Sequence, residues 1–248
     1  MSNLVKEEVR HNVLWLTLAR ADKKNALTQD MYTALSSALQ AADRDEKIAA
    51  VVITGEGDSF TAGNDLNDFL AIEDLDDSAP PFEFLYTLSR LSVPLVAGVN
   101  GLAIGIGTTI LLHCDLVYAS SDAVFALPFI NLGLVPEAAS SLLLPQQCGH
   151  LKASELLLLG DSFDAQEALQ YGLVNKVVAP QELSETLEQV AASLASKPHG
   201  GLRAAKKLIK QPAEPVADRI EREAKIFARA LSSDAARQAI KDRLTKKK

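Results

Sequence analysis

Glu137 lies in the run Leu134-Val135-Pro136-Glu137-Ala138-Ala139-Ser140-Ser141, and a carboxylate behind an apolar stretch is suited to moving a proton. The pair also has a plain structural reading, because proline favours the first helical position and an acid is stabilised by the helix dipole there. Two runs of small residues could hold developing negative charge. Ser59-Phe60-Thr61-Ala62-Gly63-Asn64-Asp65-Leu66 and Gly101-Leu102-Ala103-Ile104-Gly105-Ile106-Gly107 each follow an apolar run that reads as a strand. Each then leads into residues that read as a helix start, whose first N–H groups lack internal partners and sit at the positive end of the dipole. Such turns can cradle an oxyanion. Each alone is equally a tight turn, closely packed in one case and capped by Asp65 in the other. Taken as a pair they suggest two donors converging on one oxygen, which is what acyl chemistry requires.

Other chemistries find little support. His11, His113, His150 and His199 stand at no metal-ligand spacing, and no carboxylate cluster completes a site, so no metal is expected. There is no GxSxG elbow for a hydrolase nucleophile and no GxxxxGK[ST] loop for phosphates. The glycines after Gly101 fail the dinucleotide pattern, because the third would have to stand at Ile110. The formal net charge of −7 disfavours nucleic-acid binding, and any anionic ligand needs a local basic pocket. Cys114 and Cys148 form no CxxC pair, which fits a reducing compartment. The N-terminus lacks an apolar signal core, and no stretch approaches the roughly 20 apolar residues of a membrane span, so the cytoplasm is the expected location. The terminal Lys246-Lys247-Lys248 reads as a solvated tail.

The elements that must position these residues follow from hydrophobic spacing in a chain of 248 residues, 48% of them apolar. Val9 to Leu18 reads as a strand or hairpin. Thr28 suits a helix N-cap, with Met31, Leu35 and Leu39 recurring at helical spacing. Ala49 to Thr54, Pro94 to Val99, Leu116 to Ala119 and Val174 to Val178 read as strands. Ala71 to Pro81, acidic and with two prolines, reads as the most mobile loop of the first half. Phe82 to Leu91 reads as a helix, Gly107 through Cys114 as another, and Pro136 as the start of a helix through Leu144. Helices follow at Leu151–Leu159 and Ala165–Tyr171, with Gly172 as a C-cap. From Pro180 the pattern is helical alone, and the chain divides near Lys197-Pro198 into a core, 1–197, and a helical region, 198–248. That region must bury its apolar face on its own core or on another subunit.

The chain resembles the crotonase, or enoyl-CoA hydratase/isomerase, family. The matching pieces are Lys24-Asn25-Ala26-Leu27, Phe60 to Leu66, and Val93-Pro94-Leu95-Val96-Ala97-Gly98-Val99-Asn100-Gly101 with Gly105 and Gly107. Cys114-Asp115, Ala126-Leu127-Pro128, Asn131-Leu132-Gly133-Leu134, Ala168 and Tyr171-Gly172-Leu173-Val174 continue the match in order. The resemblance implies an α/β fold, a spiral of ββα repeats with a C-terminal helical region, assembled as a homotrimer or a dimer of trimers. It implies an acyl-CoA substrate, with coenzyme A entering as part of that substrate rather than as a separate cofactor. By motif match, the backbone N–H groups of Asn64 and Ile106 would form the oxyanion hole. Lys23, Lys24, Ala26, Ala62, Gly63, Asp65, Leu66, Gly105, Phe129 and Leu134 fall at substrate- and CoA-binding positions.

The departures from the family pattern bear on the reaction. Hydratases of the family use two glutamates, and the corresponding positions here are Thr109 and Phe129. Two-carboxylate hydration is therefore hard to build. The Pro136-Glu137-x-x-Ser140-Ser141 signature resembles instead the Δ3,Δ2-enoyl-CoA isomerase branch, where one glutamate, here Glu137, does the proton transfer. The alternatives are an enoyl-CoA hydratase using Glu137 with a second group, and a catalytically weak acyl-CoA-binding protein.

Overall fold

The first two strands pair through a two-residue turn. β1 (Val5–Arg10) and β2 (Val13–Leu18) run antiparallel with Arg10 opposite Val13. His11 and Asn12 between them hold positive φ, 49° and 65°. Two left-handed residues make the type I′ geometry whose twist matches the flanking strands, so the run beginning near Val9 is a hairpin that starts at Val5. The computed structural model describes residues 4–71 and 78–245, Phe69 by its backbone alone.

Helix α1 (Gln29–Arg44) starts at Thr28, whose Oγ1 accepts from the Met31 N–H at 3.3 Å, and it buries Met31, Leu35 and Leu39. A strand–strand–helix unit then repeats. β3 (Ala50–Gly55) and β4 (Ser59–Thr61) lead to α2 (Leu66–Leu70) and α3 (Pro80–Arg90). β5 (Leu95–Val99) and β6 (Leu102–Ile104) lead to α4 (Ile106–Thr109), which continues as a 3-10 turn over Ile110–His113. β7 (Leu116–Ser120) and β8 (Val124–Ala126) lead to α5 (Ser140–Cys148). The first strand of each unit joins one sheet and the second joins another. With α6 (His150–Leu159), β9 (Ser162–Asp164), α7 (Ala165–Gln170) and β10 (Lys176–Val178), the orders are β1-β2-β3-β5-β7-β10 and β4-β6-β8-β9. Helices α8 (Leu183–Ala195), α9 (His199–Ile209), α10 (Val216–Leu231) and α11 (Asp234–Thr245) follow.

Strands β2, β3, β5 and β7 are parallel neighbours, and β3 and β5 at the middle of the sheet are buried on both faces, which is why they read as apolar runs. Val13, Trp15, Ala50, Val52 and Val96 pack on one face against Leu183, Leu187 and Ala191 of α8. Leu14, Leu16, Val51, Ile53 and Ala97 point the other way, into the main core. Gly98 lets α8 lie this close, since a Cβ there would sit 2.3 Å from Leu187 Cδ1.

Several expectations need correction. The helix expected from Pro136 begins at Ser140, so Glu137 lies ahead of it rather than in its first turn. Ala138 and Ala139 hold left-handed backbone, φ 54° and 56°, a geometry that proline and dipole preferences do not anticipate. The helix through Cys114 is a short α turn and then 3-10. The loop reading of Ala71 to Pro81 ends at Pro80, which opens α3 with two prolines in its first turn. Residues 72–77 of that loop, and Lys246 to Lys248, lie outside the described residues.

A division after residue 197 falls in the turn between α8 and α9. Helix α9 is nevertheless fastened to the body. The Arg203 guanidinium donates to the carbonyls of Ala42, Asp43, Asp45 and Ile48, to Ser92 Oγ and to Asp43 Oδ1. Buried Lys206 pairs with Asp115 Oδ2 at 2.7 Å and donates to Val93 O at 2.7 Å. Helices α10 and α11 bury no residue of their own. Among the described residues no helix is long and apolar enough to cross a membrane.

Candidate active site

The two small-residue turns are brought together by strand pairing. β4 and β6 are parallel neighbours, with Ser59 opposite Leu102 and Thr61 opposite Ala103. The turns that leave their C-terminal ends therefore emerge side by side. Gly63 has φ 93°, and a Cβ on it would lie 2.8 Å from Ile104 O. Gly107 packs as tightly, its virtual Cβ 2.8 Å from Thr61 Cγ2 and 3.0 Å from Thr61 O. Glycine at both positions lets the two backbones approach. Around each turn the neighbouring N–H groups are used: Asp65 N–H donates to Leu27 O at 2.8 Å and Gly105 N–H to Ala126 O at 2.9 Å. The N–H groups of Asn64 and Ile106 have no acceptor among the described residues.

Both residues line a cavity of about 910 Å³ whose wall is largely apolar. Lys23, Ala26, Ala62, Gly63, Asn64, Asp65, Leu66, Gly105, Ile106, Phe129, Leu134 and Glu137 all line it. Lys24 does not; its Nζ pairs with Asp58 Oδ2 at 2.5 Å on the exposed side of the loop. Lys23 lies on the rim and makes no ion pair among the described residues. The loop's shape is set by Asn25, fully buried, which accepts from Arg20 N–H and donates to the carbonyls of Glu56 and Ser59. Asp65 caps α2 through the N–H groups of Asn67 and Asp68 and pairs with Arg20 at 2.7 Å. The Arg20 guanidinium and those N–H donors hold its carboxyl below the usual carboxylate range. Asp65 is thus committed to the scaffold.

Among the described residues Glu137 is the other carboxylate of the lining, and its environment differs. Thr109 Oγ1 donates to its Oε1 at 2.5 Å. Burial pushes its carboxyl up from the usual 4.5 to about 7, while the Thr109 hydroxyl pulls the other way. A carboxyl poised near neutrality is a competent proton acceptor and donor.

Sequence reasoning passed over two residues of this wall. Tyr32, buried on α1, donates its hydroxyl to Asn64 Oδ1 and so fixes the turn that presents the Asn64 N–H. Burial and then the charge of Glu137 raise its phenol well above the ordinary value, so it stays protonated. His113, buried at the end of the 3-10 turn, meets Ala138 O through Nε2 at 2.9 Å. In the sequence Thr109 stands out only as a missing glutamate. Helical spacing would place Tyr32 and Thr109 on inward faces, but nothing local names partners 32 and 28 residues away.

Comparison with known proteins fits this geometry. The sequence model of the family described as Enoyl-CoA hydratase/isomerase matches residues 8–248. The chain is 38% identical over 218 residues to the 2,3-dehydroadipyl-CoA hydratase of Escherichia coli (strain K12), covering 86% of this chain and 84% of that protein. It is 38% identical over 202 residues to the Enoyl-CoA delta isomerase 2 of Rattus norvegicus, covering 79% of this chain and 51% of that protein. A solved structure from Magnetospirillum magneticum AMB-1, described as a candidate enoyl-CoA hydratase/carnithine racemase, superposes with a TM-score of 0.95 at 43% identity. That superposition covers 99% of this chain and 97% of the other.

Proposed function

The chain belongs to the enoyl-CoA hydratase/isomerase family and is an acyl-CoA-processing enzyme, and on that premise we propose that it is a Δ3,Δ2-enoyl-CoA isomerase. One observation carries the reading: among the described residues Glu137 is the single uncommitted carboxylate lining the cavity, with Thr109 beside it where the hydratase pattern would have a second glutamate. A 3-enoyl thioester has an acidified C2–H, because the dienolate left behind spreads its charge onto the thioester oxygen. Glu137 takes the C2 proton. The Asn64 and Ile106 N–H groups receive the oxyanion, and each such donor is worth about 10²–10³ in rate in acyl-transfer enzymes. The protonated carboxyl then returns the proton at C4, giving the conjugated 2-enoyl-CoA with no net gain or loss of atoms. Phe129 and Leu134 keep the reacting carbons in apolar surroundings, which disfavours addition of water. Lys23 on the rim is placed to meet the phosphates of coenzyme A.

Hydration is the second reading, favoured by the likeness to a hydratase. One assay separates the two. With trans-3-hexenoyl-CoA as substrate the expected product is 2-hexenoyl-CoA, whereas a hydratase leaves that substrate unchanged and converts trans-2-hexenoyl-CoA to 3-hydroxyhexanoyl-CoA. Tight binding of CoA esters without turnover would leave only a binding protein. Glu137→Gln is expected to lower isomerisation by about 10²–10⁴-fold while CoA-ester binding persists. Full activity in that variant removes Glu137 from the mechanism.

A further inference from the structure

Glu137 is followed by two alanines in left-handed backbone. That conformation costs an L-residue roughly 1–2 kcal/mol, so contacts from elsewhere must hold it. The Ser140 N–H donates to Glu137 O at 2.9 Å, and the Leu142 and Leu143 N–H groups donate to Ala139 O. The carbonyl between these, Ala138 O, is met by His113 Nε2. A carbonyl oxygen can only accept, so Nε2 carries the proton. Burial, with Lys210 and Lys206 nearby, holds this imidazole below its ordinary pKa and so favours the neutral ring. From behind, Lys210 Nζ donates to His113 O at 3.0 Å and ties the segment to α9.

Chain continuity adds a second argument. Ile106, Thr109 and His113 stand on one short segment, an α turn that runs on as a 3-10 turn. Ile106 lines the cavity, Thr109 holds the Glu137 carboxyl, and His113 holds the peptide after Glu137. The Ile106 turn and the Glu137 carboxyl are thereby tied to one stretch of backbone.

We propose that His113 is a positioning residue for the isomerisation, its Nε2–H holding the Ala138 carbonyl so that the left-handed turn aims the Glu137 carboxyl at the carbons flanking the shifting double bond. The proposal rests on Glu137 being the base. The test compares His113→Leu, which removes the donor, with His113→Gln, whose amide can restore it. Turnover of trans-3-hexenoyl-CoA, dissociation of the unreactive hexanoyl-CoA, and the unfolding midpoint are measured for each. His113→Leu is expected to lower kcat by about 10–100-fold, the scale of an ångström's misplacement of a reacting group. Its KM and its affinity for hexanoyl-CoA should stay within about twofold, while His113→Gln recovers most of kcat. Wild-type kcat in His113→Leu overturns the proposal. So does equal loss in both variants at unchanged stability, or a fall in kcat explained by unfolding while His113→Gln, folded, is no better. Glu137→Gln is run alongside: its full activity defeats the base assignment itself, whereas an inactive Glu137→Gln beside a fully active His113→Leu defeats only the positioning role.

Discussion

The chemistry at residue scale turns on how one carboxyl is balanced between burial and a hydroxyl. Burial favours the protonated form of Glu137 and the Thr109 hydrogen bond favours the ionised form, with burial the larger effect. A base must be ionised to act, so kcat/KM should rise as pH climbs through about 7 and level off above it. Thr109→Val removes the contribution that lowers the pKa. The rising limb should then move to higher pH, with activity at neutral pH down by ~10-fold, the scale of one hydrogen bond to a charged group, and recovering on the alkaline plateau. A pH–rate profile of the two proteins checks this, and an unmoved limb would separate Thr109 from Glu137.

At the scale of elements, the site exists because two parallel strands of the smaller sheet end together. Gly63 and Gly107 are where the turns touch, each against backbone of the other. A methyl group at Gly107 meets Thr61 Cγ2 and Thr61 O inside ordinary contact distance, and the carbonyl cannot swing aside as a side-chain tip can. Gly107→Ala should therefore separate the two donors more than it disturbs the core. Turnover of 3-hexenoyl-CoA is expected to fall by about 10²-fold, as for loss of one oxyanion donor, with circular dichroism unchanged. A fully active Gly107→Ala would mean that the donors do not depend on this contact.

The whole molecule has an unbalanced surface. Val216, Ile220, Phe227 and Leu231 recur along one face of α10, and all are exposed, Phe227 at 69%. An amphipathic helix that buries nothing on its own chain is expected to bury that stripe on another copy. Sedimentation should give the mass of a trimer or of paired trimers, and Phe227→Glu should shift the population to smaller species. A monomeric wild type would refute this. Helix α9 is expected to stay in place in either case, because Arg203 and Lys206 bind it to the core independently of α10.

Apart from the smaller sheet, whose four strands of three residues each carry too little periodicity to read, the sequence alone indicated the family, the strands of the larger sheet, most of the helices and the two small-residue turns. Each of these is written in local spacing: apolar runs for strands buried on both faces, Thr28 before its helical stripe, glycines where backbones must approach. It also placed most of the cavity's wall, because those residues lie in short contiguous motifs. It took the packing of sheets and helices to set Glu137 before its helix rather than in it, to turn Lys24 to Asp58 while Lys23 stays on the rim, and to commit Asp65 to the scaffold through Arg20. The partners of Glu137, Asn64 and Asp65 are 28, 32 and 45 residues away in the chain. A hydrogen bond across such a span depends on how sheets and helices pack, and no local preference encodes it.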